Sequence, residues 1–401
     1  SNFFRPLAHL HFSLVHALAG LSPAAHRMGA LLLHALCAGL LAQLIFRLAG
    51  SKLLALAGAL LFALLPSYTE VMVWISAVTE PLYAALSLGC LLAWLAVLRR
   101  LRPWLAAYLL AFACFLMALA AKEAAVSLLP LMALMHLGLH LSGKPTHGRL
   151  LLYLPFALLL GGYLQFQLET QQASYLVRNG MYAMGLHFVP LSLSCLWEQL
   201  GHVWAPLAAA VVGFGIRGGR RRPARRDVLR GLLLVGLLLA AYMAAMAPYA
   251  MFTGQVLASR YFYLPSLVLC LGLGLAWRSL SGAHIPRPLS VTVMSLALGL
   301  MLMRAVRASQ AEVRRYHVAA VSTQRFVAAT RRLPSSTRTL LLVDGNLVDQ
   351  QLQAALKLFH GDRVFKVRAV ERRQLPPSWL RGEVWAWDPV SVGFREDPPV
   401  K

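Results

Sequence analysis

The sequence predicts a polytopic α-helical membrane protein with about ten transmembrane helices and a small C-terminal α/β extracytoplasmic module. Of its 401 residues, 59% are hydrophobic and only 13% are charged, and the mean hydropathy is +0.63. From residue 26 to residue 303, apolar runs of about 15–25 residues alternate with short polar breaks, which is the pattern of helices that cross a bilayer repeatedly.

Ten apolar runs are the candidate spans, and the second and the last are the shortest. They cover residues 26–47, 53–66, 80–98, 104–121, 123–141, 149–168, 202–216, 229–248, 261–278 and 288–303. We therefore divide the chain into a transmembrane domain at 1–303, a polar connecting helix at 304–333 and an outer-face module at 334–401.

The predicted module combines strand and helix patterns. TLLLVDGN (339–346) is typical of a buried strand and turn, residues 347–362 have helical spacing, and residues 363–370 and 382–388 alternate as strands do. No Gly-rich phosphate loop or metal-ligand spacing occurs there. Packing or protein contact remains the simpler interpretation of this segment.

The distribution of basic residues predicts which loops face the cytoplasm. One set of loops carries sixteen Lys and Arg residues, seven of them in RGGRRRPARRDVLR (217–230), and the opposite set carries only Lys122, Arg178 and Arg260. Cytoplasmic loops are enriched in Lys and Arg. The segments predicted to face outward are 67–83, 121–123, 169–201 and 249–260, together with the tail after residue 303.

The net charge of +23 comes from 38 Lys and Arg residues against 15 Asp and Glu residues. Most basic residues before position 303 stand in breaks between apolar runs and are not interleaved with aromatic residues, so nucleic acid is not an expected partner. The five cysteines are scattered without metal or redox spacing, which indicates small hydrophobic side chains.

The acidic residues have the opposite distribution. Residues 1–303 contain six acids, of which only Asp227 falls in a predicted cytoplasmic loop. Charges inside a membrane protein are costly and mark functional cavities, although a single acid at a helix end can also reach water. Among the outward acids, Glu70 and Glu80 lie in SYTEVMVWISAVTEPLY, where Ser67 and Thr69 can cap a short helix.

Three further stretches bring polar groups to the outward face. Glu70 and Trp74 share a helix face at a spacing of four, LAAKEAAVSLLP places Lys122 beside Glu123, and SRYFYLPS places Arg260 beside Tyr261. FFRPL adds Arg5 near the start of the chain. Simpler interpretations are a self-neutralising Lys-Glu pair in a helical hairpin and an interfacial aromatic belt with an Arg anchor.

These residue types suit a phosphorylated lipid. Cations at a membrane surface bind lipid phosphates, and a neighbouring carboxylate can act as a base or hold a divalent ion. The histidines suggest less chemistry: His136 and His140 are four apart but lie at the cytoplasmic end of a span. His34, in mid-span, predicts an interhelical hydrogen bond.

FFRPL, LLLHAL, LFALLPSYTEVMVWISAVTEPLY, LALAAKEAAVSLLP and SRYFYLPS occur in an order that resembles the polyprenyl-phosphate-sugar-dependent glycosyltransferases of the GT-C superfamily, nearest to the protein O-mannosyltransferases. The resemblance covers roughly residues 3–270. It implies the transfer of a sugar from a lipid-phosphate donor at the outer face. It also implies a general base in an outer loop before FFRPL, which we expect upstream of Ser1 because the chain opens without an initiator Met.

The resemblance assigns roles to single residues. Glu70 would help shape the donor site and is a candidate ligand for Mg or Mn. Glu70 and Glu123 would both support catalysis. The expected substrate-binding residues are Arg5, Trp74, Glu80, Lys122, Arg260 and Tyr261. Tyr68 stands where relatives often have His, and the α/β tail replaces helical repeats, so the acceptor stays open.

Two other function classes remain open from the sequence. One is a flippase or transporter of a lipid-linked sugar, which would place ionisable residues near mid-bilayer. The other is a non-catalytic membrane partner of a glycosylation complex in the cell envelope. None of Asn2, Asn179 and Asn346 lies in an N-x-Ser/Thr sequence, which favours a bacterial inner membrane with the active face and the tail in the periplasm.

Overall fold

The computed structural model describes most of the helical part of the chain and short pieces of the tail. The described residues are 4–65, 68–101, 103–147, 150–172, 188–202, 225–249, 258–281, 287–331, 333, 339–341, 356, 366–368, 384–388 and 393–396. They form two compact units, Ser1–Ser309 and Gln310–Lys401.

The chain is a multi-pass helical membrane protein. Among the described residues, five helical segments are long and apolar enough to cross a bilayer: Pro23–Ala49, Ile75–Leu98, Trp104–Ala121, Glu123–Leu141 and Leu150–Thr170. All five coincide with predicted spans. Shorter apolar helical segments lie at Lys52–Ala63, Val235–Tyr249 and Ser259–Leu275, at three further predicted positions. Of the predicted span at 202–216, only His202 is described.

Twelve α-helices are described in the chain order α1 to α12. They are Pro6–Ala19, Pro23–Ala49, Lys52–Ala63, Thr69–Val73, Thr79–Leu98, Trp104–Ala121, Leu128–Leu141, Leu154–Gln172, Phe188–His202, Arg225–Met246, Tyr263–Ser281 and Arg287–Thr330. Five 3₁₀ turns precede or follow them, at Ile75–Val78, Glu123–Ser127, Leu150–Tyr153, Ala247–Tyr249 and Ser259–Phe262.

Helix α5 is the central helix of the first unit. In the span Ile75–Leu98, which contains α5, 67% of the most apolar stretch is buried, against 39% or less in the other four long spans. Tyr83 and Trp94 on this helix have no exposed surface. The flanking helices instead expose leucines, such as Leu32 on α2 and Leu109 on α6. An apolar exterior around a packed interior is the arrangement that a lipid solvent favours.

Small residues let three helices approach closely around one isoleucine. A Cβ atom on Gly58 of α3 would lie 2.3 Å from Cδ1 of Ile45 on α2, and one on Gly274 of α11 would lie 3.5 Å from it. Ile45 itself is fully buried. Small residues at helix contacts are the usual means of close packing in membranes, and they bring α3 and α11 to α2 beside the functional residues described below.

One end of this unit gathers basic residues from three predicted cytoplasmic loops, and we call it the basic end. Arg99 Nη1 donates to the carbonyl of Arg47 at 2.8 Å, and Lys144 Nζ donates to the carbonyl of Leu48 at 2.7 Å. The backbone N–H of His147 bonds to the carbonyl of Leu98 at 2.9 Å. Cations at helix C-termini are favoured by the helix dipole.

The second unit contains a four-stranded sheet in the order β2-β1-β3-β4. The strands are Thr339–Leu341, Lys366–Arg368, Val384–Asp388 and Gly393–Glu396; β1 pairs in parallel with β2 and β3, and β3 pairs antiparallel with β4. The first three lie within predicted strands, and β4 was missed. The predicted helix at 347–362 lies outside the described residues except for Leu356, so the α/β module stays a prediction.

Two helices differ from the sequence interpretation. Phe188–His202 is helical although it lies in a predicted outer loop. Ser192, Ser194, Glu198 and Gln199 interrupt its apolar pattern, and the Oε1 of buried Gln199 accepts from the Ser266 hydroxyl at 3.2 Å. The predicted last span and connecting helix form one continuous helix of 44 residues, Arg287–Thr330.

Candidate functional site

At the end of the first unit opposite the basic end, three cations meet three carboxylates. The pairs are Arg260 with Glu70, Lys122 with Glu80, and Arg5 with Glu123. These six residues are the ion-pair cluster. The two partners of a pair are up to 190 positions apart in the chain, so only the helix packing brings them together.

The first pair binds the short helix α4 to the segment before α11. Arg260 Nη1 donates to Oε1 of Glu70, and Oε2 accepts from the backbone N–H of Arg260 at 3.0 Å and from the Ser259 hydroxyl at 2.8 Å. Glu70 is buried, whereas the Arg260 side chain keeps 22% of its surface exposed. The carboxylate is therefore held by donors of three different kinds.

Two aromatic rings hold the Arg260 guanidinium in place. Its central carbon lies 4.5 Å from the ring centroid of Trp74 and 4.8 Å from that of Tyr261. Trp74 directly follows helix α4, and its backbone N–H bonds to the carbonyl of Glu70 at 2.8 Å. The predicted shared face of Glu70 and Trp74 is therefore the face that contacts Arg260. Such cation–π contacts favour a fixed guanidinium plane.

The second pair is fully enclosed. Lys122 and Glu80 are 2% and 1% exposed, and Lys122 Nζ donates to Oε1 of Glu80. Lys122 Nζ also lies 3.2 Å from the Tyr249 hydroxyl, which donates to Oε2 of Glu80 at 3.3 Å. Charges buried this deeply need both a partner and further hydrogen bonds, and Tyr249 supplies them to each side.

Aromatic rings surround the Lys122 ammonium as well. It lies 4.9 Å, 5.2 Å and 5.4 Å from the ring centroids of Tyr249, Tyr261 and Tyr83. Tyr261 thus contacts both Lys122 and Arg260, and its ring lies 4.8 Å from that of Tyr249. One tyrosine therefore connects the two ion pairs.

The third pair ties the start of helix α1 to the turn after α6. Arg5 Nε and Nη2 donate to the two carboxylate oxygens of Glu123 at 2.8 Å and 2.5 Å. Burial opposes the charge on Arg5, but Glu123 outweighs it, so the pKa of Arg5 is raised above its ordinary value. Arg5 is therefore a permanent cation, and its side chain is 25% exposed.

The self-neutralising pair considered for Lys122 and Glu123 is wrong. The backbone at Lys122 is extended (φ −161°, ψ 140°) between helix α6 and the 3₁₀ turn, and each of the two residues binds a distant partner. The capping role expected for Thr69 is also wrong. Thr69 is the first residue of α4, and its hydroxyl lies 3.0 Å from that of Ser309, while Ser67 lies outside the described residues.

The structure adds residues that the sequence analysis missed, and it shows which groups two of the histidines contact. Tyr83, Tyr249 and Ser259 contact members of the ion-pair cluster. They were missed because tyrosine and serine beside apolar runs carry no distinctive sequence signal. His34 Nδ1 lies 2.6 Å from the Tyr263 hydroxyl, which confirms the interhelical bond between α2 and α11. His136 Nδ1 lies 3.1 Å from the Tyr153 hydroxyl.

The described residues do not fit the divalent ion that the resemblance implies at Glu70. Both oxygens of Glu70 already accept hydrogen bonds. Among the described residues, no group of three or more His, Cys, Asp or Glu side chains could hold a metal ion. Hard cations need about six oxygen ligands.

The ion-pair cluster as a whole carries no net charge. Its three cations are balanced by three carboxylates, and each of these carboxylates is engaged by a cation, so none of them is a free base. Comparison with family models, with curated proteins and with solved structures finds no match to this chain.

Proposed function

We propose that this chain is a membrane glycosyltransferase of the GT-C type. It would move a sugar from a polyprenyl-phosphate-linked donor to a protein, lipid or glycan acceptor. The observation that carries the proposal is the ion-pair cluster, because it combines two partly exposed guanidinium groups, Arg5 and Arg260, with aromatic rings. Guanidinium groups bind phosphate with two parallel hydrogen bonds.

The donor phosphate would bind at Arg260, where Trp74 and Tyr261 fix the guanidinium. Lys122 and Glu80, fully buried behind it, would keep the local charge balanced, and Glu123 would hold Arg5. The resemblance places the general base in an outer loop that precedes the FFRPL motif of such enzymes. An acceptor hydroxyl or amide would attack the sugar anomeric carbon and lose its proton to that base. The bond from the anomeric carbon to the phosphate oxygen would break, and the ionised phosphate would leave.

The proposal includes ten spans in a bacterial inner membrane, with the ion-pair cluster and the tail in the periplasm. Its support is the separation of the basic end from the ion-pair cluster, since cytoplasmic loops attract Lys and Arg. Leu21 lies between α1 and α2, just before the start of α2, and α2 ends at the basic end. His147 lies near the basic end, on the opposite side from Leu21.

Cysteine labelling tests this orientation. All five native cysteines are buried, so Leu21→Cys and His147→Cys can be compared in the otherwise native chain. We expect a membrane-impermeant maleimide to label Leu21→Cys in intact spheroplasts and to label His147→Cys only after permeabilisation. The reverse pattern would contradict the orientation.

Sugar transfer tests the function. Membranes containing the protein are incubated with radiolabelled polyprenyl-phosphate-linked hexose or pentose donors, each in turn, and with envelope extract as acceptor. We expect label to move from the lipid to an acceptor only when the protein is present. Movement of the intact lipid-linked sugar across the membrane of sealed vesicles, without sugar transfer, would favour the flippase instead. If neither activity is found, the role of a non-catalytic partner is favoured.

A further inference from the structure

The site around Arg260 is already filled by an anion from the protein itself. The Glu70 carboxylate binds a guanidinium, a backbone N–H and a hydroxyl, the latter two within 3.0 Å. Side-chain hydroxyls, backbone amides and Arg together are the donors with which proteins bind phosphate oxygens. A carboxylate that collects all three occupies a position that a phosphate oxygen could take.

Arg260 does not depend on Glu70 alone for its position. The rings of Trp74 and Tyr261 contact its guanidinium, and Nη2 donates to the Tyr261 hydroxyl at 3.2 Å. Its side chain is 22% exposed, against 2% for Lys122. Arg260 can therefore be reached from outside and would stay in place if the carboxylate left.

Charge balance argues for displacement rather than addition. The three cations and three carboxylates of the ion-pair cluster already cancel. A phosphate added beside Glu70 would place two anions on one guanidinium, and like charges at such short range repel strongly when partly desolvated. Exchanging one anion for another on Arg260 avoids that repulsion and leaves every donor satisfied.

We propose that Glu70 is an exchangeable internal anion: it occupies the phosphate site of the empty protein, and the phosphate group of a lipid headgroup takes its place on Arg260 and Ser259. This identification of the ligand rests on the proposed function. Glu70 thereby becomes a competitor of the ligand, which differs from the supporting role that the resemblance gives it.

Binding of farnesyl phosphate to the protein in nanodiscs, measured by calorimetry, tests the exchange. We expect Glu70→Gln to bind at least tenfold more tightly than the wild type, because the competing charge is gone while the side-chain shape is kept. Glu70→Asp should bind more tightly than the wild type by a smaller factor, because the shortened carboxylate holds the three donors less well. Adding Ser259→Ala to Glu70→Gln should reverse most of the gain.

Glu169→Gln is the matched control, since it removes the same charge from an exposed position on helix α8 that is not part of the ion-pair cluster. We expect it to change the affinity less than threefold. An unchanged or weaker affinity in both Glu70 variants would overturn the exchange, and so would an equal gain in Glu169→Gln, which would indicate net charge alone. Inorganic phosphate as a second probe distinguishes the source: an equal gain in Glu70→Gln supports exchange through the phosphate alone, and a gain confined to farnesyl phosphate supports exchange with a lipid.

The readout is separate from catalysis. Tighter binding in Glu70→Gln together with no sugar transfer by the wild type would support the exchange and contradict the proposed glycosyltransferase. Sugar transfer with no gain in binding would do the opposite.

Discussion

Replacing Lys122 by Met is expected to lower the free energy of unfolding by about 3–5 kcal/mol, because it leaves the Glu80 carboxylate buried without a cation. Glu80 is 1% exposed, and its remaining described hydrogen-bond donor is the Tyr249 hydroxyl at 3.3 Å. A neutral hydroxyl does not compensate a buried charge. The measurement is the thermal or denaturant-induced unfolding of the purified protein in detergent.

A second variant separates the ion pair from simple packing. Lys122→Met combined with Glu80→Leu removes both charges and keeps the volume apolar, and we expect it to recover most of the lost stability, since buried ion pairs are often replaceable by hydrophobic residues. Lys52→Met, the same substitution near the basic end, is the control and should change stability by less than about 0.5 kcal/mol. Equal destabilisation by the single and double variants would contradict this account.

Replacing Arg260 by Met is expected to reduce sugar transfer by about 10²-fold, the usual cost of removing one preorganised donor from a charged site. The reduction should appear in the turnover of the donor, and unfolding of the same purified variant is measured beside it because buried Glu70 loses its cation. Arg260→Lys should recover only part of the activity, because an ammonium group keeps the charge but cannot make two parallel hydrogen bonds. The measurement is label transfer from the polyprenyl-phosphate donor.

Arg99→Met is the matched control for this experiment. Arg99 lies at the basic end and binds the carbonyl of Arg47, so its loss removes an equal charge without touching the ion-pair cluster. We expect sugar transfer to remain within about threefold of the wild type, as for surface changes away from a site. Transfer lost equally in Arg99→Met and Arg260→Met would indicate a general charge effect. An effect of Arg260→Met on lipid translocation or partner binding alone would favour the flippase or the adaptor.

The sequence alone determined the class of protein and the members of the ion-pair cluster. Long apolar runs can satisfy their backbone in lipid only as helices, so five spans could be placed from composition and length. Acids and cations are rare in such segments because burying them is costly, so Glu70, Glu80, Lys122 and Arg260 stood out. His34 was identified for the same reason, as a polar group that needs a partner within the bundle.

Only the tertiary structure decided which residues pair. Lys122 and Glu123 are adjacent in the chain, yet each binds a residue from a distant segment. Packing of α5, α6 and the chain before α1 brings Glu80 and Arg5 close to them. The aromatic rings around Lys122 and the three donors around Glu70 likewise come from distant segments. Pairing depends on distances set by helix packing, and a linear pattern of residue types contains no such distances.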